Sequence, residues 1–258
     1  MIRLVASDVD GTLLDHHGML PPHRAAAARR LVDAGMPLVL ATGKLWTSVR
    51  RLVDELGLDG PHVACNGSVV FDGAGRVLAR TLLDGAVADE VVSELRARRL
   101  VHAVYLDDGT LVTDRIDPAH DVLPLLGEPL PTVGGIDGRG VLKVLAILPP
   151  ETEGDLRTLA ADTSRVQRTG PRFLEWNAST ADKATGLAHV TGMLDIPLAE
   201  VLAVGDAEND VPMLRAAGLG VAVADTSPAA RAAADRTLTS DLADLFDELV
   251  ADLQAVRA

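Results

Sequence analysis

Short apolar runs alternate with amphipathic helices at both ends of this chain, and this rhythm is lost in the middle. Near the N-terminus, the runs IRLVAS and MPLVLATG predict buried strands, and PPHRAAAARRLVDAG predicts the helix between them. Beyond about residue 180 the rhythm returns, with VLAVGD and GVAVA as strands between helices. Because strand–helix alternation is typical of a parallel sheet covered by helices on its faces, we predict a doubly wound α/β fold with a mostly parallel sheet.

The middle of the chain has the pattern of a separate α+β unit. LLDGAVADEVVSELRARRL and ETEGDLRTLAADTS predict helices, VHAVYLDDGTLVTD a hairpin, VLKVLAIL a strand, and VQRTGPRFLEWNAS two edge strands. We therefore predict a discontinuous core domain over residues 1–82 and 181–258, with an inserted α+β domain over residues 83–180.

The shorter elements of the core follow the same reasoning. WTSVRRLVDELGL predicts a helix, PHVACNGSVVF a strand interrupted by the turn pair Asn66-Gly67, and FDGAGRVLAR a hairpin. The closing DLADLFDELVADLQAV predicts an amphipathic helix with an acidic face. Its apolar stripe is better explained by docking on the core than by a dimer seam, which favours a monomer without fixing the oligomeric state.

Charge and composition exclude several classes of partner. The net charge of -13 and the pI of about 4.9 leave no basic footprint for nucleic acid or for an anionic membrane surface. The single cysteine, Cys65, cannot form an internal disulfide, which fits a reducing compartment. With no apolar stretch near the roughly 20 residues that span a bilayer and no signal-peptide pattern, we expect a cytoplasmic protein.

Polar residues follow four of the predicted core strands. In a doubly wound sheet, ligands bind outside the carboxyl ends of the strands, so these residues are expected at one rim. They are Asp8 and Asp10 after IRLVAS, Thr42 after MPLVLA, Asn66 after PHVAC, and Asp206 to Asp210 after VLAVG, with Lys183 opening the helix before the last of these strands.

The residue types at this rim suit phosphoryl transfer. Carboxylates from Asp8, Asp206 and Asp210 make a hard oxygen site of the kind that Mg²⁺ prefers. Thr42 and Gly43 offer a hydroxyl and an unhindered backbone N–H to an anion, and the ammonium of Lys183 neutralises phosphate charge. Each motif alone has an ordinary explanation, as a turn, a helix start or a solvated lysine; their occurrence together, in this order, favours the functional interpretation.

The motifs that carry this pattern are similar to those of the haloacid dehalogenase superfamily, and more narrowly to the Cof-type phosphatases with a class IIB cap. The resemblance covers roughly three fifths of the chain and extends to the inserted domain by position and size only. The matching segments are DVDGTLL (8–14), LATGK (40–44), CNGSVV (65–70), DKATGL (182–187) and VGDAENDVPML (204–214).

This resemblance implies a mechanism and a role for each matched residue. Asp8 would attack phosphorus and form an aspartyl phosphate, and Asp10 would act as general acid and then general base. Phosphoryl oxygens would bind Thr42, Gly43 and Lys183, with Asn209 orienting Lys183 or a water on the metal. The implied cofactor is Mg²⁺, held by Asp8, Asp10 through its carbonyl, Asp206 and Asp210.

Two departures from the family pattern stand near the predicted site. Lys44 follows the Thr-Gly pair where the family commonly has arginine, in a chain with only three lysines among 24 basic residues. Asp225-Thr226 replaces the family's usual Asn-Ala after the last strand. We predict that Lys44 either reshapes the substrate side of the pocket or is a solvated helix start.

The inserted domain is expected to close over the phosphate and select the leaving group. The candidate substrate contacts are Lys44, Asn66, Lys143, Arg172, Glu175 and Asn177, with Trp176 more consistent with the core than with the ligand. The family default is a small phosphomonoester, such as a sugar phosphate or a cofactor phosphate. The leading hypothesis is therefore a Mg²⁺-dependent phosphatase. The alternatives are a phosphotransferase or phosphomutase with the same aspartyl chemistry, and a binding or regulatory protein on an inactive scaffold.

Overall fold

The computed structural model describes residues 1–148, 150–169 and 172–257. In chain order its strands are β1 (Leu4–Ser7), β2 (Leu38–Leu40), β3 (His62–Ala64), β4 (Val69–Phe71), β5 (Val77–Arg80), β6 (Val101–Leu106), β7 (Leu111–Thr113), β8 (Thr132–Val133), β9 (Val141–Ile147), β10 (Ser164–Thr169), β11 (Phe173–Ala178), β12 (Val201–Gly205), β13 (Leu219–Ala222) and β14 (Arg236–Thr237). The helices are α1 (Pro22–Asp33), α2 (Arg50–Leu56), α3 (Gly85–Ala97), α4 (Val122–Leu125), α5 (Lys183–Leu194), α6 (Val211–Ala216), α7 (Pro228–Ala233) and α8 (Leu242–Arg257).

The core sheet joins the two ends of the chain. Its strand order is β14-β13-β12-β1-β2, and every pair in it is parallel. Successive side chains of β1 point to opposite faces. Val5 packs in the apolar cluster that contains Leu31 of α1 and Phe246 of α8, whereas Leu4 and Ala6 pack with α5 and α6. Helices thus cover both faces, and the predicted doubly wound α/β sheet is confirmed.

The third predicted core strand turns away from this sheet. A single parallel bridge, Ala41 to Val63, connects the end of β2 to β3. After it, the chain turns through Cys65–Gly67 and pairs back on itself, so that β3, β4 and β5 form a small antiparallel sheet. The predicted hairpin in FDGAGRVLAR is present as β4 and β5.

The middle of the chain forms a second sheet of mainly antiparallel pairs, the cap sheet, with the order β10-β11-β9-β6-β7-β8. Its alternating faces have different neighbours. One face packs under α3 through residues such as Val144 and Trp176. The opposite face, which carries Tyr105, Lys143 and Glu175, is turned toward the core and forms part of the site described below.

Two predictions for the middle segment are wrong, and one core helix is shorter than predicted. ETEGDLRTLAADTS forms short 3₁₀ turns instead of a helix, because Gly154, the first residue of the second turn, adopts a positive φ of 52° that an α-helix cannot contain. β11 lies inside the cap sheet between β10 and β9, so only β10 of the predicted edge pair is an edge strand. Helix α2 begins at Arg50, since the preceding residues form a loop that contacts the cap segment. Within the described ranges, no helix combines the length and the apolar character needed to cross a membrane.

Candidate active site

The acidic motifs at Asp8 and at Asp206 meet because β1 and β12 are adjacent parallel strands. Ser7 pairs with Val204 in the register, and the backbone N–H of Asp8 donates to the carbonyl of Val204 at 2.9 Å. Both chains therefore leave the sheet at the same edge, which brings Asp8 and Asp206 together. Gly11 adopts a φ of 82°, and a Cβ there would lie 2.7 Å from Asp206 Oδ2, so the close approach of the two loops requires glycine.

Three carboxylates and one lysine form the centre of the site. Single oxygens of Asp8, Asp206 and Asp210 lie within 4.8 Å of one another. Lys183 Nζ donates to Asp8 Oδ1 at 2.5 Å and to Asp210 Oδ1 at 2.6 Å, and the lysine side chain is fully buried. The second oxygen of Asp210 accepts the backbone N–H groups of Asp206 and Ala207, both at 2.9 Å. Asp210 thus holds both the lysine and the loop that carries Asp206.

Helix α5 delivers Lys183 from its first turn. Asp182 is the N-cap of this helix, and its carboxylate accepts from the backbone N–H of Thr185 at 2.7 Å, while Thr185 Oγ1 accepts from the Asp182 N–H at 3.0 Å. This reciprocal capping box fixes where the helix begins. The lysine next to the cap is therefore directed at the carboxylates by the local sequence DKAT.

Burial makes the carboxylate cluster electrostatically unfavourable without a further cation. Desolvation and the neighbouring Asp210 charge raise the pKa of Asp8 well above its usual value, despite the opposing effect of Lys183. The same two causes raise the pKa of Asp206 to about 6. Burial alone would lower the pKa of Lys183, but Asp210 and Asp8 raise it, so the lysine stays charged.

The donor set fits a divalent cation with a preference for oxygen. Asp8 Oδ2 is buried and has no hydrogen-bond donor among the described residues, although it sits beside Asp206. Carboxylate oxygens of this kind are the ligands of Mg²⁺, and a cation here would offset the repulsion that raises the pKa of Asp8. Asp10 differs, because its carboxylate lies outside the three-residue cluster.

Asp10 is paired with Lys44 rather than with the other acids. Lys44 Nζ lies 2.7 Å from Asp10 Oδ1, and both residues line the same cavity as Asp8. The Lys44 side chain is 12% exposed, which argues against the solvated helix start. Its backbone N–H donates to Thr42 Oγ1 at 3.1 Å, so the buried Thr42 hydroxyl keeps its own hydrogen for another acceptor. Thr42 itself is not among the residues that line the cavity, whereas Gly43 is.

A strained turn connects this loop with the rest of the site. Cys65 and Asn66 adopt positive φ values of 48° and 53°, which non-glycine residues rarely do. Their backbone N–H groups donate to the carbonyls of Lys44 and Thr42 at 2.8 and 3.0 Å. Gly67 follows with a φ of 95°, and a Cβ there would lie 1.9 Å from the carbonyl oxygen of Asp182. The turn therefore packs tightly between the loop at Thr42 and the cap of α5.

Asn66 links the cap sheet to the acidic loop, which is the segment 206–210 after β12. Its amide nitrogen donates to Glu175 Oε2 at 2.6 Å, and its amide oxygen accepts from Asn209 Nδ2 at 3.0 Å. No hydrogen bond joins Asn209 to Lys183 within the described ranges, so the orientation of the lysine by Asn209 stays a prediction. Asn209 Oδ1 is buried and unpartnered among these residues.

The cap sheet contributes a buried charged pair next to the loop at Gly43. Lys143 Nζ donates to Glu175 Oε1 and to the Gly43 carbonyl, both at 2.8 Å, and lies 4.4 Å from the centroid of the Tyr105 ring. Burial alone would lower the pKa of Lys143, but the Glu175 carboxylate raises it. Lys143 therefore bridges the cap to the loop that follows Thr42.

Sequence reasoning missed several residues on the cap side of the site. Glu128 accepts from the Leu45 backbone N–H at 3.0 Å and from the Ser48 hydroxyl at 2.6 Å, and burial raises its pKa. Tyr105 and Phe173 line the same cavity of about 230 Å³ as the acidic residues. Glu128 lies in a Pro- and Gly-rich stretch whose weak periodicity gives no signal, whereas Tyr105 is marked in the sequence as the single tyrosine of the chain.

The remaining predicted contacts are not in the cavity wall. Arg172 is exposed and Asn177 is fully buried on the same face of β11 as Glu175, and neither lines the cavity. Trp176 packs under α3 and donates its indole N–H to the Leu159 carbonyl at 2.9 Å, as expected for a core residue. The Thr226 hydroxyl donates to the Asp206 carbonyl at 2.7 Å, so this departure from the family pattern supports the acidic loop.

Known proteins resemble this chain over nearly its whole length. The family profile of the haloacid dehalogenase-like hydrolases matches residues 5–244. The 5-amino-6-(5-phospho-D-ribitylamino)uracil phosphatase YwtE of Bacillus subtilis is 25% identical, with 86% of this chain and 87% of that protein covered. The HMP-PP phosphatase of Serratia proteamaculans is 28% identical, with 88% and 86% covered.

A solved structure gives the same result for the fold. The phosphatase BT1666 of Bacteroides thetaiotaomicron, a member of the haloalkanoate enzyme superfamily, superposes with a TM-score of 0.80 at 26% identity. The match covers 99% of this chain and 95% of that one. The resemblance drawn from the five motifs and the prediction of an enzyme of this type are thereby confirmed. The chain belongs to the haloacid dehalogenase-like hydrolases, and the curated relatives that it matches are phosphatases.

Proposed function

We propose that this protein is a Mg²⁺-dependent phosphatase that hydrolyses a small phosphomonoester through an aspartyl phosphate on Asp8. The observation that carries the proposal is the contact of Lys183 with both Asp8 and Asp210 beside an unpartnered oxygen of Asp8. A purely structural ion pair between Lys183 and one carboxylate would not require the second oxygen of Asp8 to be buried without a partner. It would also not require two further acids beside it. The named phosphatase relatives support the same reaction class.

In the first half-reaction, Asp8 is the nucleophile. A carboxylate oxygen of Asp8 forms a bond to phosphorus while the bond from phosphorus to the ester oxygen breaks, and Asp10 gives its proton to the departing alcohol. Lys183, the Thr42 hydroxyl and the Gly43 N–H stabilise the charge on the phosphoryl oxygens. In the second half-reaction, a water attacks phosphorus, Asp10 takes its proton, and inorganic phosphate leaves with Asp8 regenerated.

Asp8, Asp206, the Asp10 carbonyl and Asp210 would hold the Mg²⁺, with Asp210 acting chiefly through Lys183 and the Asp206 loop. Bound Mg²⁺ supplies positive charge that keeps Asp8 ionised and withdraws charge from the phosphoryl group. Lys44 holds the carboxylate of Asp10 at the cavity wall, where the leaving oxygen must receive its proton. We further propose that residues 83–180 act as the cap that covers this site, and residues 1–82 and 181–258 as the catalytic core.

The test is phosphate release from a broad panel of phosphomonoesters, with and without Mg²⁺. We expect release that requires Mg²⁺ and that falls by at least about 10³-fold in Asp8→Asn, because the nucleophile is lost. Asp59→Asn, a change of the same type at an exposed residue after α2, is the matched control and should keep full activity. Acid-quenched wild-type protein should carry covalent phosphate, and Asp8→Asn should not.

The phosphotransferase alternative uses the same first half-reaction and differs in the acceptor. Adding alcohol acceptors and comparing free phosphate with transferred phosphate separates the two. Mg²⁺-dependent release that survives in Asp8→Asn would refute the aspartyl mechanism. A folded protein that releases phosphate from no ester and transfers it to no alcohol would instead favour a binding or regulatory role.

A further inference from the structure

The cavity above the phosphate site has walls of two kinds. On the core side it is bounded by charged groups, including Asp8, Asp10 and Lys44. On the cap side most of the wall is apolar, and the residues that form it are Tyr105, Leu123, Leu126, Leu145 and Phe173. The chain has only six aromatic residues, and two of them stand in this one wall. The part of the substrate that faces the cap therefore meets mainly carbon.

An apolar wall discriminates against a polyhydroxylated leaving group. Each hydroxyl that is buried without a partner costs about 1–3 kcal/mol, so a sugar placed against these side chains would lose most of its hydrogen bonds to water without replacement. A flat ring buries its faces against such side chains favourably, with about 0.5–1.5 kcal/mol from each well-placed aromatic contact beyond the area term. The cavity volume of about 230 Å³ limits this ring to one of small size.

Apart from the hydroxyls of Tyr105 and Thr169, the polar groups at the cap side are charged, and two of the three are carboxylates that accept hydrogen bonds. Each oxygen of Glu128 and of Glu175 accepts one hydrogen bond from within the protein, and a carboxylate oxygen has a second lone pair. Lys143 already donates to Glu175 and to the Gly43 carbonyl, and Lys44, the other lysine of the cavity, is paired with Asp10. The three charges sum to -1, which favours a group that brings N–H donors.

From these observations we infer that the leaving group is a single flat ring with N–H donors, attached through a primary alcohol, rather than a sugar. This inference rests on the proposed phosphatase function and specifies its substrate class. The phosphoryl group occupies the acidic end of the cavity, the ring lies against Tyr105, Phe173 and the leucines, and its donors face Glu128 and Glu175.

The test compares esters of primary alcohols, so that the basicity of the leaving group is matched. The probes are glucose 6-phosphate, benzyl phosphate and 3-aminobenzyl phosphate, and acetyl phosphate, an acyl phosphate, is added as a reactive substrate that has no ring. We expect kcat/KM for benzyl phosphate to exceed that for glucose 6-phosphate by at least about tenfold, and the amino group to add about threefold more, as one hydrogen bond would. Glucose 6-phosphate equal to or better than benzyl phosphate would overturn the inference.

Two variants connect the preference to the wall. Phe173→Leu keeps an apolar side chain but removes the ring, and it should lower the benzyl-to-glucose ratio by about fivefold. Leu126→Gln places a polar group in the wall and should lower the same ratio by improving glucose 6-phosphate. Unchanged ratios in both variants would overturn the assignment of the ring to this wall.

Failure of the inference and failure of the proposed function give different results. Mg²⁺-dependent release from acetyl phosphate but from no ring ester overturns the inference and leaves the phosphatase proposal standing. If neither acetyl phosphate nor any ester is turned over, the phosphatase proposal fails, and calorimetric titration of the folded protein with benzyl phosphate and glucose 6-phosphate still decides which one the cavity prefers. Equal or weaker binding of benzyl phosphate in that titration overturns the inference as well.

Discussion

The acidic end of the cavity and its cap-side wall are held in place by different kinds of structure. At the acidic end, four loops leave the core near the carboxyl ends of its strands, and their side chains are fixed by short charge-assisted hydrogen bonds, such as those of Lys183. In the cap-side wall, alternate residues of three strands are fixed by packing and by one charged pair, Lys143 with Glu175. In the proposed function, the charged groups that carry the chemistry are thus placed by local loops, and the wall that selects the leaving group is shaped by the register of the cap sheet.

The largest expected effect belongs to the acidic end. Lys183→Met removes the cation that contacts both Asp8 and Asp210, and we expect kcat to fall by roughly 10²–10³-fold, the range measured for the loss of one preorganised donor to transition-state charge. Lys183→Arg should recover little, because a planar guanidinium does not fit a fully buried site shaped for one nitrogen. Steady-state phosphate release checks both variants, and a loss of less than tenfold in Lys183→Met would contradict the role given to this residue.

The next effect concerns stability of the cap side. Lys143→Met leaves Glu175 buried and unpaired, and removal of one partner of a buried pair costs about 3 kcal/mol of unfolding free energy. The double variant Lys143→Met with Glu175→Leu removes both charges and should regain at least half of that loss. Urea unfolding followed by fluorescence of Trp176 and Trp46 measures it; a double variant less stable than the single one would show that the pair is not the cause.

The third effect is the pH dependence of the unfolding free energy, which we expect to differ between His62 of the core and His102 of the cap sheet. Burial lowers the pKa of His62 to about 4, so the folded protein holds it neutral while the unfolded chain takes up a proton below about pH 6.5. Its stabilising contribution is therefore complete above that pH and is lost as the pH falls, by about 2 kcal/mol at pH 5. Burial also lowers the pKa of His102 in β6, against the hydrogen bond to the Leu100 carbonyl and the Asp114 charge; Leu58 and Asp72 oppose the shift of His62 in the same way.

The measurement for this prediction is the difference in unfolding free energy between wild type and each of His62→Gln and His102→Gln at pH 7 and pH 5. Taking differences cancels the contributions of the carboxylates, both those whose pKa is raised, such as Asp8, and those whose pKa is lowered, such as Asp241. We expect the stability lost on acidification to shrink more in His62→Gln than in His102→Gln. Equal pH dependence in wild type and His62→Gln would refute the prediction.

The smallest effect tests the contact between the two regions. Glu128→Gln keeps the acceptor for the Leu45 N–H and weakens the bond from the Ser48 hydroxyl. The loss of one charge-assisted hydrogen bond, about 1 kcal/mol, should raise KM about fivefold with little change in kcat. Ser48→Ala removes the same bond from the core side and should give a similar KM. A change confined to kcat would place Glu128 in the chemistry instead.

The two regions also differ in how far their sequence reveals them. The residues of the acidic end could be predicted because each follows a recognisable strand within a few positions, and parallel pairing then brings the strand ends to one rim. DKAT marks a helix start, so even Lys183 could be placed. The core fold was predictable for the same reason, since its periodicity is strong and its connections are short.

The cap-side wall could not be predicted in this way, because its residues meet only through the register of the cap sheet and one irregular segment. Glu175 and Lys143 were expected near the pocket, but Arg172, three residues before Glu175 and preceding β11, turned out to be exposed. The helix predicted over ETEGDLRTLAADTS failed because Gly154 sits where its backbone turns. Glu128 depends on a contact with a loop some 80 residues away, which leaves no local trace in the sequence.

Asn66 is held between Glu175 and Asn209, so in the proposed function one amide group connects substrate choice with turnover. Replacing Glu175 to suit a new leaving group would remove the acceptor of Asn66, and Asn66 in turn fixes a residue of the acidic loop. A route to another substrate that replaces Glu175 therefore requires coordinated change at three positions on three separate segments. Exploration of new substrates is easier along the apolar residues of the wall, where a side chain can change without disturbing the acids.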